Sequence, residues 1–369
     1  MPALDGIRGL AVLLVVFHHT LGSQLPTTGS DPSSLRVVDN LIHWFATGGW
    51  CGVDLFFVLS GFLITGILYD AKTSENPLRN FYARRGLRIL PLQLGVLFLV
   101  FVILARFSPG SALVSAGSGP WLWISMANIP MAIGGKWAYG TFVHFWSLAV
   151  EEQFYLVWPL VVLTVPRKPL IGICLGLIVG ALALRIGLMT RGVSLISLYV
   201  STPTRMDGLA VGALLALLAR GPKGLEACRG PIIWTGIIAA VALAVLVLLR
   251  HGLRKEDPAQ AYVGYTVLAL FFGSLVGIAA TSSSQSARLL WNRPLLMFFG
   301  KYSYGIYVFD SLVLTEMSQW AYGLPIRVHS YLLHAIIRLV VSLTITTTIA
   351  WLSWNFFERH FLKLKRYFH

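Results

Sequence analysis

The sequence predicts an all-α polytopic membrane bundle of about ten transmembrane helices. Three features carry that expectation: charge is sparse, apolar stretches of spanning length recur along the chain, and basic residues favour alternate loops. Of the 369 residues, 56% are hydrophobic and only 12% charged, where a soluble domain carries roughly 25% charged residues. No soluble interior could hide so much apolar surface.

A helix needs about 20 mostly apolar residues to cross the hydrocarbon core. Such stretches stand near 7–25, 46–69, 87–107, 144–165, 169–189, 203–219, 231–249, 262–281, 295–320 and 331–357. The first runs from Arg8 through Phe17 into His18-His19 with no small-residue cleavage site behind it, so it reads as a permanent helix rather than a leader. A weaker stretch, Trp121 to Ile133, contains Asn128 and Pro130 and is too short to span.

Loop charge decides how that stretch is treated. With a cytoplasmic N-terminus and 121–133 not crossing, most loop Lys and Arg fall on the cytoplasmic side; if it crosses, they divide almost evenly. The expectation is therefore ten helices with both termini cytoplasmic. Residues 107–143 then form a long outer loop whose middle dips toward the bilayer, where irregular backbone is tolerated only if buried or lining a cavity. With no internal repeat, low-complexity tract or separate soluble domain, a single membrane domain over 1–369 is expected.

The formal net charge is +14. In a soluble protein it would point to nucleic acid; here the positive-inside bias explains most of it, and no nucleic-acid partner is expected. The remainder is available to an anionic ligand. Cys51, Cys174 and Cys228 are scattered, with the spacing of neither a disulfide framework nor a metal site.

Ionisable residues inside spans are costly and therefore functional candidates. Arg8 and His19 are eleven residues apart, so they share a helix face about 16 Å apart along the axis. His18 points about 100° away. An imidazole suits general-base work because it titrates near neutrality, though on spacing alone an interfacial anchor at Arg8 and a satisfied bundle histidine at His19 are the plainer reading. Asp54 and Ser60 on the second segment, Glu151 and Glu152 on the fourth, and Arg205 and Asp207 at the head of the sixth are expected with His19 in the outer half of the bundle. A structural salt-bridge network is the plainer reading of the same residues. At the opposite face, FYARRGLRILP sets Arg84, Arg85 and Arg88 at the mouth of the third segment. Positive-inside anchoring accounts for them simply, yet guanidinium groups also clamp phosphates. No P-loop or dinucleotide glycine pattern is present.

At these residues the chain resembles the acyltransferase-3 family of membrane O-acyltransferases over essentially its whole length. LDGIRGLAVLLVVFHH carries an Arg, ten residues, His signature, and GVDLFFVLSGFLIT, FYARRGLRILP, FWSLAVEEQFYLVWPL, RMDGLAVG and NFFERHFLKLKR follow in order. The resemblance implies transfer of an acyl group, commonly acetyl, from cytoplasmic acyl-coenzyme A to a hydroxyl. Its acceptors are cell-envelope glycans, lipid-linked saccharides or secondary metabolites, and its setting is the bacterial inner membrane. It implies His19 as base, with Asp54 and Glu151 (rather than Glu152) as its partners. Arg8, Arg84, Arg85 and Arg88 become donor-side residues, and Ser60, His144, Arg205 and Asp207 substrate-side candidates, with no metal. Two positions depart from the pattern: Asp310 stands where a histidine is frequent, and His360 where a proline usually follows Glu-Arg. Many members add a hydrolase-like domain after the bundle, and none is expected within these 369 residues. A polytopic transporter or flippase is the alternative, although such proteins often show internal repeats.

Overall fold

The computed structural model describes residues 2–22, 46–108, 110–115, 119–281, 291–323 and 331–368, without the side chains of 319–323 and 331–334. No strand occurs among them. Ten long helices follow the ten apolar segments: α1 (Pro2–Leu21), α2 (Gly52–Asp70), α3 (Pro77–Phe98), α4 (Phe145–Thr164), α5 (Arg167–Met189), α6 (Met206–Ala219), α7 (Arg229–Arg250), α8 (Tyr265–Thr281), α9 (Pro294–Gly323) and α10 (Tyr331–Ser353). The end of the first segment, 23–25, lies outside the described residues.

Among the described residues, seven helices are long and apolar enough to cross a membrane by themselves. The other three helices are α4, α6 and α9. In α4, Glu151 and Glu152 interrupt the apolar run; α6 has 14 residues; and α9 carries Lys301 and Asp310 among tyrosines and serines. Each of these three holds side chains that face the interior of the bundle.

Two helix pairs make the most extensive contacts, α1 with α9 and α2 with α6. Both rest on glycine. A Cβ at Gly9 would stand 2.0 Å from the Leu296 carbonyl oxygen, and one at Gly300 1.8 Å from that of Asp5. Gly61 and Gly212 play the same part between α2 and α6, against the carbonyls of Leu209 and Val58. Small residues let backbones meet where hydrophobic drive between helices is absent. Gly212→Val should therefore lower the unfolding temperature of the detergent-solubilised protein, since overpacking costs about 1–3 kcal/mol. Gly176→Val, where a Cβ meets nothing within 4 Å, should leave it nearly unchanged.

Neighbouring long helices alternate in direction. Ion pairs Asp54–Arg205 and Asp70–Arg220 lock α2 to α6 in parallel at opposite ends. The α4–α5 turn returns to the Asp70 end, where Lys72 Nζ donates to the Val165 carbonyl at 2.7 Å. Arg8, near the start of α1, and Lys365, beyond α10, both lie within electrostatic reach of Arg88, so both ends of the described chain lie at the same end of the bundle.

Residues 120–134 do not form a spanning helix. Pro120–Trp123 and Asn128–Gly134 are short helices of 4 and 7 residues, separated by Ser125 at φ 56°. This segment is pinned to the bundle by polar contacts. The buried Asn128 donates to the Val200 carbonyl and to Thr202 Oγ1, and accepts from Gln153 Nε2 at 2.9 Å. Gln93 of α3 donates to Ser125 Oγ at 2.8 Å.

Candidate active site

At the Arg8 end, α1, α2, α3, α4 and α9 enclose a polar cavity of about 90 Å³. Its walls include Arg8, Arg85 and Arg88, with Ser60 of α2 and Glu151 and Tyr155 of α4 deeper inside. Arg8 pairs with Asp5 at 3.4 Å. The Arg85 guanidinium lies over the rings of Tyr155 and Phe81, 5.6 and 6.0 Å from their centroids. Such planar groups are suited to bidentate contact with phosphate oxygens. Arg84 is exposed and does not line the cavity. The helical phase explains why: Arg88, Arg85 and Ile89 span the cavity face of α3, and Arg84 falls about 90° from its middle.

Glu151 is held by two hydroxyls. Ser60 donates to Oε1 at 2.9 Å and Tyr155 to Oε2 at 2.7 Å, and the two hydroxyls lie 2.9 Å apart. Further along, the cavity is lined by Ser147 and Tyr307, whose oxygens are 2.5 Å apart. Tyr307 also donates to the His144 carbonyl at 3.1 Å, and its ring stands 5.3 Å from the His144 imidazole.

His144 and His19 face each other with ring centroids 6.2 Å apart. His144 Nδ1 lies 3.1 Å from the Thr141 carbonyl; a carbonyl only accepts, so Nδ1 carries the proton. His19 Nδ1 is 2.7 Å from Oδ2 of Asp310. Asp310 has no solvent exposure, and its other oxygen has no hydrogen-bond partner among the described residues. An ionised Asp310 accepts from Nδ1–H, which orients the ring and fixes the tautomer in which Nε2 carries the lone pair. His18, by contrast, is tied through Nδ1 to the Ala46 carbonyl at 2.9 Å.

Asp310 is the residue that sequence reasoning left without a role. Its signal was present as a carboxylate in an apolar span, but its partner sits 291 positions earlier. Lys255 was also missed. It lies within electrostatic reach of His18 and His19, with its ammonium 4.5 Å above the Trp137 ring, and burial holds it below the usual lysine range.

The expected gathering of carboxylates at the level of His19 is corrected by the structure. Gly52 packs on Ala11, eight residues before His19, so Asp54 stands roughly 10 Å nearer the Arg8 end. Its Oδ1 instead accepts from Arg205, whose guanidinium lies 4.3 Å over the Tyr265 ring. Asp207 pairs with Arg185 at 2.9 Å and accepts from Thr266 at 2.8 Å. These four charges form an interior network joining α2, α5 and α6, away from the His19 imidazole. Glu151 follows His144 by seven residues on α4, about 10 Å along the axis, and belongs to the cavity. Asp54 and Ser60 separate because six residues turn a helix by about 600°, which aims one at α6 and the other at α4.

Comparison with known proteins identifies the family. An acyltransferase-domain family model matches residues 1–355. The chain belongs to this acyltransferase family. Among curated proteins it is similar to the O-acetyltransferase OatA of Staphylococcus aureus strain NCTC 8325 / PS 47, 29% identical over 97% of this chain and 56% of that protein. It is also similar to the putative O-acetyltransferase SAS0844 of S. aureus strain MSSA476, 28% identical over 98% of this chain and 57% of that protein. The chain thus spans about half the length of the curated relatives it matches. No solved structure matches it. Among the described residues, no group of three or more His, Cys, Asp or Glu could hold a metal ion.

Proposed function

We propose that this membrane acyltransferase is an O-acyltransferase that moves an acyl group, acetyl in the simplest case, from cytoplasmic acyl-coenzyme A to a hydroxyl of a glycan or lipid-linked saccharide on the outer side. One observation carries the reading: a single helix, α1, presents Arg8 to a basic cavity at one end and a carboxylate-held His19 at the other. The Arg8 end is cytoplasmic in this proposal, and the setting is the bacterial inner membrane.

Arg8, Arg85 and Arg88 bind the donor's phosphates, with Arg84 at the rim. The pantetheine arm enters past Ser60 and Glu151 and brings the thioester toward Ser147 and Tyr307. The acceptor hydroxyl approaches from the His19 side. Nε2 of His19 takes its proton as the oxygen attacks the thioester carbonyl; the carbon–sulfur bond breaks, and the proton passes to the departing thiolate. Asp310 holds the imidazole and balances its charge while protonated. The Asp54–Arg205 and Asp207–Arg185 network keeps the α2 wall of the cavity in place.

Coenzyme A binding tests the donor half. Arg85→Gln with Arg88→Gln should weaken binding to the purified protein by about 100-fold or more, since hydrogen bonds to charged groups are each worth about 1.5–3 kcal/mol. Arg84→Gln should have a much smaller effect, and added salt should weaken wild-type binding. A folded double variant with wild-type affinity would remove the phosphate-clamp assignment.

A further inference from the structure

Past Ser353 the chain leaves α10 through a π-helical turn, Trp354–Glu358, and continues in short helical segments to Tyr367. This tail runs antiparallel along α3. A Cβ on Gly95 would stand 3.4 Å from the Phe357 ring, and the Phe368 ring lies 5.7 Å from the Arg79 guanidinium. Between those contacts the tail packs beside the α3 turns that carry Arg84, Arg85 and Arg88.

The basic residues of the tail do not all face the same way. Arg359, Lys363 and Arg366 are exposed, and only Lys365 is half-buried. Lys365 lies within electrostatic reach of Arg84, Arg85 and Arg88, and among the described residues no carboxylate pairs with it. The tail's one acid, Glu358, is engaged elsewhere. It is buried, accepts from Ser353 Oγ at 3.0 Å and shares a separate small pocket with Arg88 and Lys301.

Positive-inside anchoring accounts for the three outward cations, whose long side chains reach lipid head groups. It does not account for the one turned inward. An ammonium held near three guanidinium groups is repelled by all of them, and together they raise a positive potential at the mouth of the donor cavity. A polyanion relieves that repulsion. Position then decides which anionic group meets which cation. Arg8, Arg85 and Arg88 line the cavity, where the pyrophosphate lies when the pantetheine arm points inward. Lys365 lies beyond that lining. In coenzyme A the ribose and its 3′-phosphate hang on the far side of the pyrophosphate from the arm, so they come to rest at this rim.

We infer that Lys365 binds the 3′-phosphate of the donor, which makes the tail after α10 part of the coenzyme A site. The inference rests on the O-acyltransferase reading above and names the portion of the donor that the tail senses. A lysine suits that task, since its ammonium is a compact point charge with three donors for a phosphate.

Coenzyme A and dephospho-coenzyme A differ by that one phosphate. Calorimetric titration of the whole chain in phosphatidylcholine nanodiscs with each of them therefore tests the assignment. Wild type should bind coenzyme A about tenfold or more tighter than the dephospho form, as loss of a hydrogen bond between charged groups implies. Lys365→Gln should remove most of that difference by weakening coenzyme A alone. Its unchanged affinity for dephospho-coenzyme A would also show that the variant is folded. Lys365→Arg should keep much of the preference, and Lys363→Gln all of it. Equal weakening of both ligands in Lys365→Gln overturns the inference, because Lys365 then braces the site as a whole. A full preference retained in that variant also overturns it and leaves Lys365 a lipid anchor. Wild-type protein that binds both ligands equally sinks this inference alone, whereas binding of neither sinks the donor reading with it.

Discussion

Replacing His19 with Asn lowers acyl transfer about 10²–10⁴-fold, the usual cost of losing a general base. Asn is the informative variant. Its amide nitrogen can still donate toward Asp310, in the place of Nδ1–H, but it has no basic lone pair. Alanine would leave the wholly buried Asp310 without its His19 hydrogen bond, and loss of a buried partner is itself destabilising. Coenzyme A affinity and the unfolding temperature of His19→Asn should stay near wild type, which separates lost chemistry from lost structure. His18→Ala should keep far more activity, because His18 is tied to the Ala46 carbonyl. A folded His19→Asn protein with near-wild-type transfer would refute the assignment.

Asp310→Asn is expected to reduce turnover by about the same order, 10²–10⁴-fold, through loss of the charge that orients and stabilises the imidazolium. The Asp-to-Asn change in a Ser-His-Asp triad costs about 10⁴-fold by the wrong-tautomer route. Asp310 acts through His19 and is a positioning residue, so the loss should appear in kcat and leave acceptor KM and coenzyme A affinity largely unchanged. Asp310→Glu should recover part of the activity, because it restores the charge at the cost of overpacking. If Asp310→Asn and Asp310→Glu are equally impaired and equally unstable, the carboxylate serves packing alone and the dyad assignment fails.

The helical segments were legible because spanning length and apolar run are local properties, and each described stretch lies on a helix. Arg8 and His19 were legible as one face of one helix. Pairing was not legible. Helical phase says which way Asp54 points on α2, but not that α6 stands there with Arg205. The same limit hid Asp310: its partner is fixed only by the glycine contact between α1 and α9, which no periodicity within either helix reveals. Glu151 was set too near His19 because its depth was read from the start of α4 as a whole. The structure shows the helix passing His144 first and delivering Glu151 to the basic cavity.

The backbone contact between α1 and α9 has a consequence for substrate selection. Arg8 and His19 are fixed along one rod, and Tyr307 and Asp310 along another fused to it at Gly9 and Gly300. The rods therefore act as a yardstick whose gradations cannot slide. A carrier arm too short leaves its reactive end below the imidazole, and one too long buckles before reaching it. Deleting one residue between Arg8 and His19 shifts the mark by about 1.5 Å and swings it by about 100°. In the proposed reaction, selection among donors is then set by the length of a helix, before any pocket has sensed their shape.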